Sequence, residues 1–313
     1  MCYTFSDIKV LQKAIHDDRV PVLMICLQVL CSGTPTPNHL RWGSSFALKM
    51  DDSKWFMFDC GPAATYKLVQ AGISPLDVSD LFFTHHHSDH DSDYACLLLS
   101  RFDMSVGNEA PLKVYGPPPT VSLTEKLIAE DHGAYWHDIV ARTNHPLSLW
   151  AYQQRGGVLP RAVPVVDSKD ISPGIVFSND DVVIEAARVE HVQPYLDSLA
   201  YRVNYNQGSI VFSGDTRPCQ SLIDLAKDAD VLVMECIRLH KDMKDNITSE
   251  CESSAQAAGE VANSAGVKML VLTHQSPDLD QPVKKEQVIK EVQKSYDGQI
   301  EWAVELEQIY YEC

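Results

Sequence analysis

Between Leu81 and His90 the chain reads LFFTHHHSDH, an apolar run that ends in His85, His87, Asp89 and His90 within a few residues. Leu81-Phe82-Phe83-Thr84 has the pattern of a buried strand, so these side chains fall on the loop just past a strand end, where rigid scaffolds carry their reactive groups. Imidazole and carboxylate are ligands that suit Zn²⁺ and its neighbours, and the H-x-H spacing lets alternate side chains converge on one ion while Asp89 and His90 face another. A solvated polar loop is the plain alternative, and three later positions argue against it. His191 follows the strand-like run Val182 to Val189, Asp215 follows Ser209-Ile210-Val211-Phe212, and His274 ends Met269-Leu270-Val271-Leu272-Thr273. Each is a ligand-type residue at the carboxyl end of an apolar run.

This ordered set, HxHxDH followed by His, Asp and His, resembles the metallo-β-lactamase superfamily, and the resemblance spans nearly the whole chain. It implies a four-layer αββα sandwich of the α/β class, with one metal held by His85, His87 and His191. A second would be held by Asp89, His90 and His274, and Asp215 would bridge the two. The implied ions are two Zn²⁺, with Mn²⁺ or Fe²⁺ as substitutes. Two such ions, about 3.5–4 Å apart, acidify a bridging water and supply hydroxide as nucleophile, so no side-chain nucleophile is needed. Against Asp89, Asp215 and one hydroxide, two dications leave roughly one positive charge by formal counting, which favours an anionic or strongly polarised substrate. Asp89 and Asp215 are thus expected in the catalytic machinery as well as on the metals.

The chain has 313 residues, which one two-sheet sandwich with flanking helices can absorb, and no repeat or low-complexity linker divides it. A single domain over 1–313 is therefore expected. The net charge of −17 argues against broad contact with a phosphate backbone, which needs clustered Lys and Arg. Nine cysteines are scattered without paired C-x-x-C spacing and read as reduced residues of a cytoplasmic protein. The apolar run Val20 to Cys31 is too short to span a bilayer, so no membrane segment is expected.

Ahead of the first strand, Ser6-Asp7 caps a predicted accessory helix in about residues 1–20, with Ile8, Leu11 and Ile15 on one face. Met24 to Leu30 reads as a strand, Gly33 to Pro37 as a turn, and the runs on either side of Asp51-Asp52-Ser53 as a hairpin. The opening G-T-x-x-P, R-x-G-x-S and F-D-C-G elements resemble the arylsulfatase-like and ribonuclease Z-like branch, where Asp59 would orient a metal ligand. After His90, Asp91-Ser92-Asp93 fits either a loop at the site entrance or an acidic helix N-terminus. Ala134 to Arg142 resembles an arylsulfatase-like A-x-x-x-D-I-x-x-R pattern. Residues 143–166 read as an inserted flap, in which Trp150 and Tyr152 either line a pocket or pack the insertion. Ser249 to Ala265 is expected to be one alanine-rich helix ended by Gly266.

Two hydrolase readings follow. Ser213 to Cys219 (SGDTRPC) and Leu270 to Ser276 (LVLTHQS) are close to the tRNA 3′-processing endonuclease pattern, but Glu250 to Ser254 lacks the histidine that pattern carries there. His240, on a polar loop, is the candidate replacement acid. With that gap, the acidic charge and no basic arm, the expectation is hydrolysis of a small anionic or ester substrate, a sulfate, phosphate, carboxylic ester or lactone. Processing of tRNA, a nucleic-acid substrate, is the alternative, and a non-enzymatic ligand-binding member is the third. Family habit points to a homodimer.

Overall fold

A computed structural model describes residues 24–51, 53–243 and 247–312. The accessory helix expected before residue 20 lies outside the described residues. The chain opens with β1 (Met24–Ser32), β2 (Ser44–Lys49) and β3 (Trp55–Phe58), then α1 (Ala64–Gln70), β4 (Val78–Phe82), the single turn α2 (Ser88–Asp91) and α3 (Tyr94–Met104). β5 (Leu112–Gly116) leads to α4 (Thr120–Ile128), α5 (Trp136–Asn144), α6 (Pro146–Gln154), β6 (Val166–Asp170), β7 (Gly174–Ser178), β8 (Val182–Arg188), β9 (Leu199–Tyr205) and β10 (Gly208–Phe212). The last part holds α7 (Gln220–Leu225), β11 (Val231–Glu235), α8 (Ala255–Ala265), β12 (Met269–Thr273), α9 (Pro282–Val292), β13 (Gln299–Trp302) and β14 (Gln308–Glu312).

The strands form two seven-stranded sheets, in the orders β14-β1-β2-β3-β4-β5-β6 and β13-β12-β11-β10-β9-β8-β7. β1 to β4, β8 to β12 and the β2–β3 hairpin fall where apolar, β-branched and aromatic runs place them. Their inner faces share one core containing Phe46, Phe58, Phe82 and Tyr115 from the first sheet and Tyr201, Phe212, Val233 and Val271 from the second. Phe58 stacks on Phe212 across the sheets with centroids 3.9 Å apart and on Phe82 within its own sheet at 5.3 Å. The outer face of the first sheet buries Leu68, Tyr94, Leu97 and Leu98 from α1 and α3. Leu222, Ala258, Val261, Val288 and Val292 of α7, α8 and α9 cover the second. Helix, sheet, sheet, helix is the αββα sandwich expected from the motif set.

Direction within the sheets decides where strand ends collect. β10, β11 and β12 run parallel, and β8 shares their direction because each is antiparallel to β9 on one side or the other. β3 and β4 are parallel in the first sheet. The carboxyl ends of these strands can therefore supply side chains to one place.

Several expectations change in detail. The helix expected from Ser249 begins only at Ala255, because the Ser254 side chain accepts the Ala257 N–H at 3.2 Å and fixes the start there. The preceding residues Ile247–Glu250 form a separate tight turn. The 143–166 stretch holds the last two residues of α5, then α6, then a turn and irregular chain leading into β6. In it Tyr152 is buried with its hydroxyl donating to Val106 O at 2.9 Å, whereas Trp150 is exposed. Two further strands lie outside those expected: β13 pairs with β12, and β14 pairs with β1 along its length at the edge of that sheet. The seven described cysteines are free thiols, and no helix among the described residues is long and apolar enough to cross a membrane.

Phe58 sits at the crossing point of the aromatic core, fully enclosed. Phe58→Ala is expected to lower the unfolding free energy by about 3–5 kcal/mol, read from urea denaturation, because the rigid sheets on either side cannot close the void. A loss below about 1 kcal/mol would mean that the inter-sheet core is not packed as described.

Candidate metal centre

β4 ends at Phe82, and Thr84 leads straight into the histidine run. The alternation of that run splits it physically. His85 and His87 point inward, with His85 Nε2 lying 2.9 Å from His87 Nδ1. His86 turns away to Asp91 at 3.1 Å and to Thr120 Oγ1 at 2.8 Å. One helical turn, α2, then presents Asp89 and His90 side by side, both buried.

The later residues arrive from the second sheet. His191 Nε2 lies 3.2 Å from His87 Nδ1. Asp215 Oδ2 lies 3.8 Å from His85 Nε2, 3.3 Å from His90 Nε2 and 3.2 Å from His274 Nε2. His274 Nε2 is also 3.2 Å from Asp89 Oδ2. All seven predicted residues meet, in two overlapping sets: His85, His87, His191 and Asp215, and Asp89, His90, Asp215 and His274. Four ligand atoms placed tetrahedrally at zinc-like bond lengths are separated by about 3.3 Å. The contacts above bracket that value, and Asp89 Oδ1 and His90 Nε2 are buried without a hydrogen-bond partner. Both features fit a pair of divalent ions.

The residues behind the ligands set their orientation. Asp59, at the end of β3, lies 2.7 Å from His90 Nδ1, and its other oxygen accepts the Thr84 N–H at 2.8 Å. The expected orienting aspartate is thus in contact with a member of the cluster, with Nε2 of His90 turned toward Asp215. His191 is held in the same way by the Cys251 carbonyl, 2.9 Å from Nδ1. The glycines are steric: a methyl on Gly61 would stand 2.2 Å from Asp89 O, and one on Gly43 2.7 Å from it.

Two acidic residues at the site escaped the sequence reading. Glu235 ends β11 in the same register as Asp215 and His274 end theirs, which was the available signal. It is buried and accepts the N–H groups of Thr216 at 2.6 Å and Ser253 at 3.2 Å. Glu252 lies against it, and ligand-type atoms of Glu235, Glu252 and His274 group together. His240 is elsewhere: its Nδ1 is 3.4 Å from Ser254 Oγ and its N–H donates to Glu291 on α9. Asp93 accepts the Thr65 N–H at 2.7 Å, so the acidic pair after His90 braces α1 and His86 rather than the site entrance.

Electrostatically the two sets differ. Burial holds His85 well below the usual imidazole range, reinforced by the neighbouring His90, and burial and His191 depress His87 as well. Burial would also depress His90, but Asp215 and Asp59 outweigh it and hold His90 well above that range. His274 is raised by Asp215 and Asp89 against the same burial. Burial would raise Asp215, yet His274 and His90 pull it well below the carboxylate range. Burial and the charge of Glu252 push Glu235 well up.

A sequence profile described as "Metallo-beta-lactamase superfamily" matches residues 42–260. The chain belongs to that superfamily. The chain is 32% identical over 263 residues to the ribonuclease Z of Mycobacterium sp. (strain KMS), covering 82% of this chain and 86% of that protein. It is 33% identical over 264 residues to the ribonuclease Z of Mycobacterium avium (strain 104), covering 82% of this chain and 88% of the relative. Among solved structures, the metallo-beta-lactamase fold protein YhfI from Bacillus subtilis superposes with a TM-score of 0.69 at 18% identity, covering 92% of this chain and 100% of that one. Human tRNase Z, short form, gives 0.64 at 18% identity, covering 91% and 98%. The protein is a metal-dependent hydrolase of the ribonuclease Z-like branch, with a dinuclear site built from His and Asp. The arylsulfatase-like half of the expected resemblance finds no support in these relatives.

Acid should empty the two sides of this superfamily site in order. Without metal, burial lowers His85 and His87 while Asp215 and its neighbouring carboxylates raise His90 and His274 against the same burial, so for ions of equal intrinsic affinity protons are expected to compete first for the set containing Asp89, His90 and His274. Metal retained after equilibration across a pH series, with each site distinguished by its own affinity, checks this; simultaneous loss would contradict it. Gly61→Ala should reduce metal uptake, read as ions bound per chain, without replacing any ligand side chain, because its methyl displaces the Asp89 backbone carbonyl.

Proposed function

We propose that this protein is a ribonuclease Z-like phosphodiesterase that trims the 3′ end of precursor tRNA. In this reading His85, His87 and His191 hold one zinc ion, Asp89, His90 and His274 hold the other, and Asp215 is shared. The observation that carries it is relatedness to ribonucleases Z over 82% of the chain, joined to two four-residue clusters with a carboxylate in common. Mn²⁺ or Fe²⁺ suits the same donors.

When bound, such ions polarise a phosphoryl oxygen and acidify water. The protein residues do the rest. Asp59 and the Cys251 carbonyl fix His90 and His191 through Nδ1, so that Nε2 of each is presented to the centre. Glu235 and Glu252 put carboxyl groups beside His274, and Glu252 falls in the stretch where the ribonuclease Z pattern carries a histidine. The His240 imidazole meets Ser254 Oγ and lies outside these ligand groups, which supports Glu252 over His240 as the candidate acid.

The small-ester expectation rested on the net charge, on that missing histidine, on the absence of a basic arm and on the arylsulfatase-like segments. Whole-chain charge is a weak guide to the field at one buried site, where fixed ions are the largest local charges. Two dications against Asp89 and Asp215 leave the centre formally cationic, and this suits a phosphodiester anion whatever the distant surface carries.

The deciding assay presents one metal-loaded preparation with precursor tRNA bearing a 3′ extension and with aryl sulfate, phosphodiester and carboxylic ester substrates. Specific cleavage at the tRNA 3′ end is expected, falling by roughly a thousandfold or more in Asp215→Ala as the shared carboxylate is removed. Inert tRNA beside efficient turnover of a small ester would return the assignment to the small-substrate reading. Inactivity on every class in a fully loaded preparation would point to a non-enzymatic role.

A further inference from the structure

Arg41, from the R-x-G-x-S stretch, is buried although it lies in a loop, with its side chain 6% exposed. Its guanidinium meets Asp280 with Nε 2.9 Å from Oδ1 and Nη2 2.7 Å from the same oxygen. Asp280 is steadied in turn by Asn38 Nδ2 at 2.7 Å. The remaining nitrogen, Nη1, points inward to the Gln275 side-chain oxygen, Ser32 Oγ at 2.9 Å and the Ala303 carbonyl at 3.2 Å. One side chain thus ties together the loop after β1, the loop after β12 and the turn after β13.

Gln275 is the residue after His274, which turns back from β12 in the left-handed backbone region at φ 58°. Gln275 is fully buried, its N–H donates to Ser32 O at 3.3 Å, and its side-chain nitrogen has no partner. Its side chain is therefore held through the oxygen that faces Arg41. The Arg41 loop also reaches the other residue peculiar to the same set, since Gly43 packs against the Asp89 carbonyl. The bonds of His85, His87 and His191 run to Thr84, to each other and to Cys251 instead.

We propose that Arg41 is the positioning residue of the second metal site, holding His274 in place through the oxygen of Gln275. This rests on the dinuclear reading above. It separates Arg41 from a general buttress, because a buttress would weaken both ions alike.

The test is Zn²⁺ binding, measured by competition with a chromophoric chelator so that two affinities are resolved. Arg41→Gln and Gln275→Leu are expected to weaken the second ion about 10- to 100-fold while the first changes by less than about threefold. Gln275→Glu keeps an oxygen toward Arg41 and should retain both affinities. Arg41→Lys should not rescue, because an ammonium lacks the planar fork that reaches Asp280 and Gln275 together. Equal weakening of both ions, or unchanged binding in variants whose circular dichroism is native, would overturn the proposal. If Arg41→Gln does not fold, the contrast between Gln275→Leu and Gln275→Glu decides it alone. A wild-type protein that takes up fewer than two ions removes the dinuclear reading itself, and the proposal with it.

Discussion

One carboxylate oxygen, Asp215 Oδ2, lies within 3.2–3.8 Å of three imidazoles that come from two sheets. Burial makes that arrangement unfavourable unless positive charge compensates it, whether protons on His90 and His274 or divalent cations. Much of the fold serves to hold it. Gly214, in the left-handed region at φ 60°, turns the chain against Thr84, whose side chain a methyl there would meet at 2.9 Å. Thr84 is the residue that gives both its N–H and its hydroxyl to Asp59. The shared carboxylate and the aspartate behind His90 are therefore packed through a single threonine, and the two sheets cannot move apart without changing both.

The metal-type residues were legible because each stands at the end of a recognisable apolar run, and the parallel direction of β8, β10 and β12 turns that sequence regularity into proximity. Asp59 was legible through the motif around it. Glu235 obeys the same rule at the end of β11 and was passed over because no motif drew attention to it. Glu252 could not be placed, since its role depends on Ser254 ending a tight turn and starting α8, a matter of one hydrogen bond. β13 and β14 were passed over because they are runs of only four and five residues, and they add to β12 and β1 as edge strands.

Whole-chain charge carries less weight as an argument about substrate once individual carboxylates are placed. A sum over the chain treats every carboxylate alike, yet the acidic groups here have separate duties. Asp280 neutralises a buried arginine, Asp91 holds His86 out of the centre, and Asp93 braces α1. Asp59, Asp89 and Asp215 face imidazoles. Each of these carboxylates has a local partner, so the net charge says little about what any one of them does. The proximity of Glu252 to Glu235 has a different consequence: burial and the Glu252 charge favour a proton retained on Glu235.

Backbone strain follows the same geography. Asp59 and His274 both adopt φ 58°, and the non-glycine residues that tolerate the left-handed region best include aspartate and histidine. Such a conformation persists only where the surroundings overdetermine it. For Asp59 the surroundings are Thr84 and His90; for His274 they are the Gln275 oxygen, Arg41 and the salt bridge to Asp280. A glycine would relieve the strain at either position but would remove the side chain that the turn exists to aim. At these two of the six described positive-φ non-glycine positions the left-handed residue belongs to the site, and the buried polar network beside it holds it there.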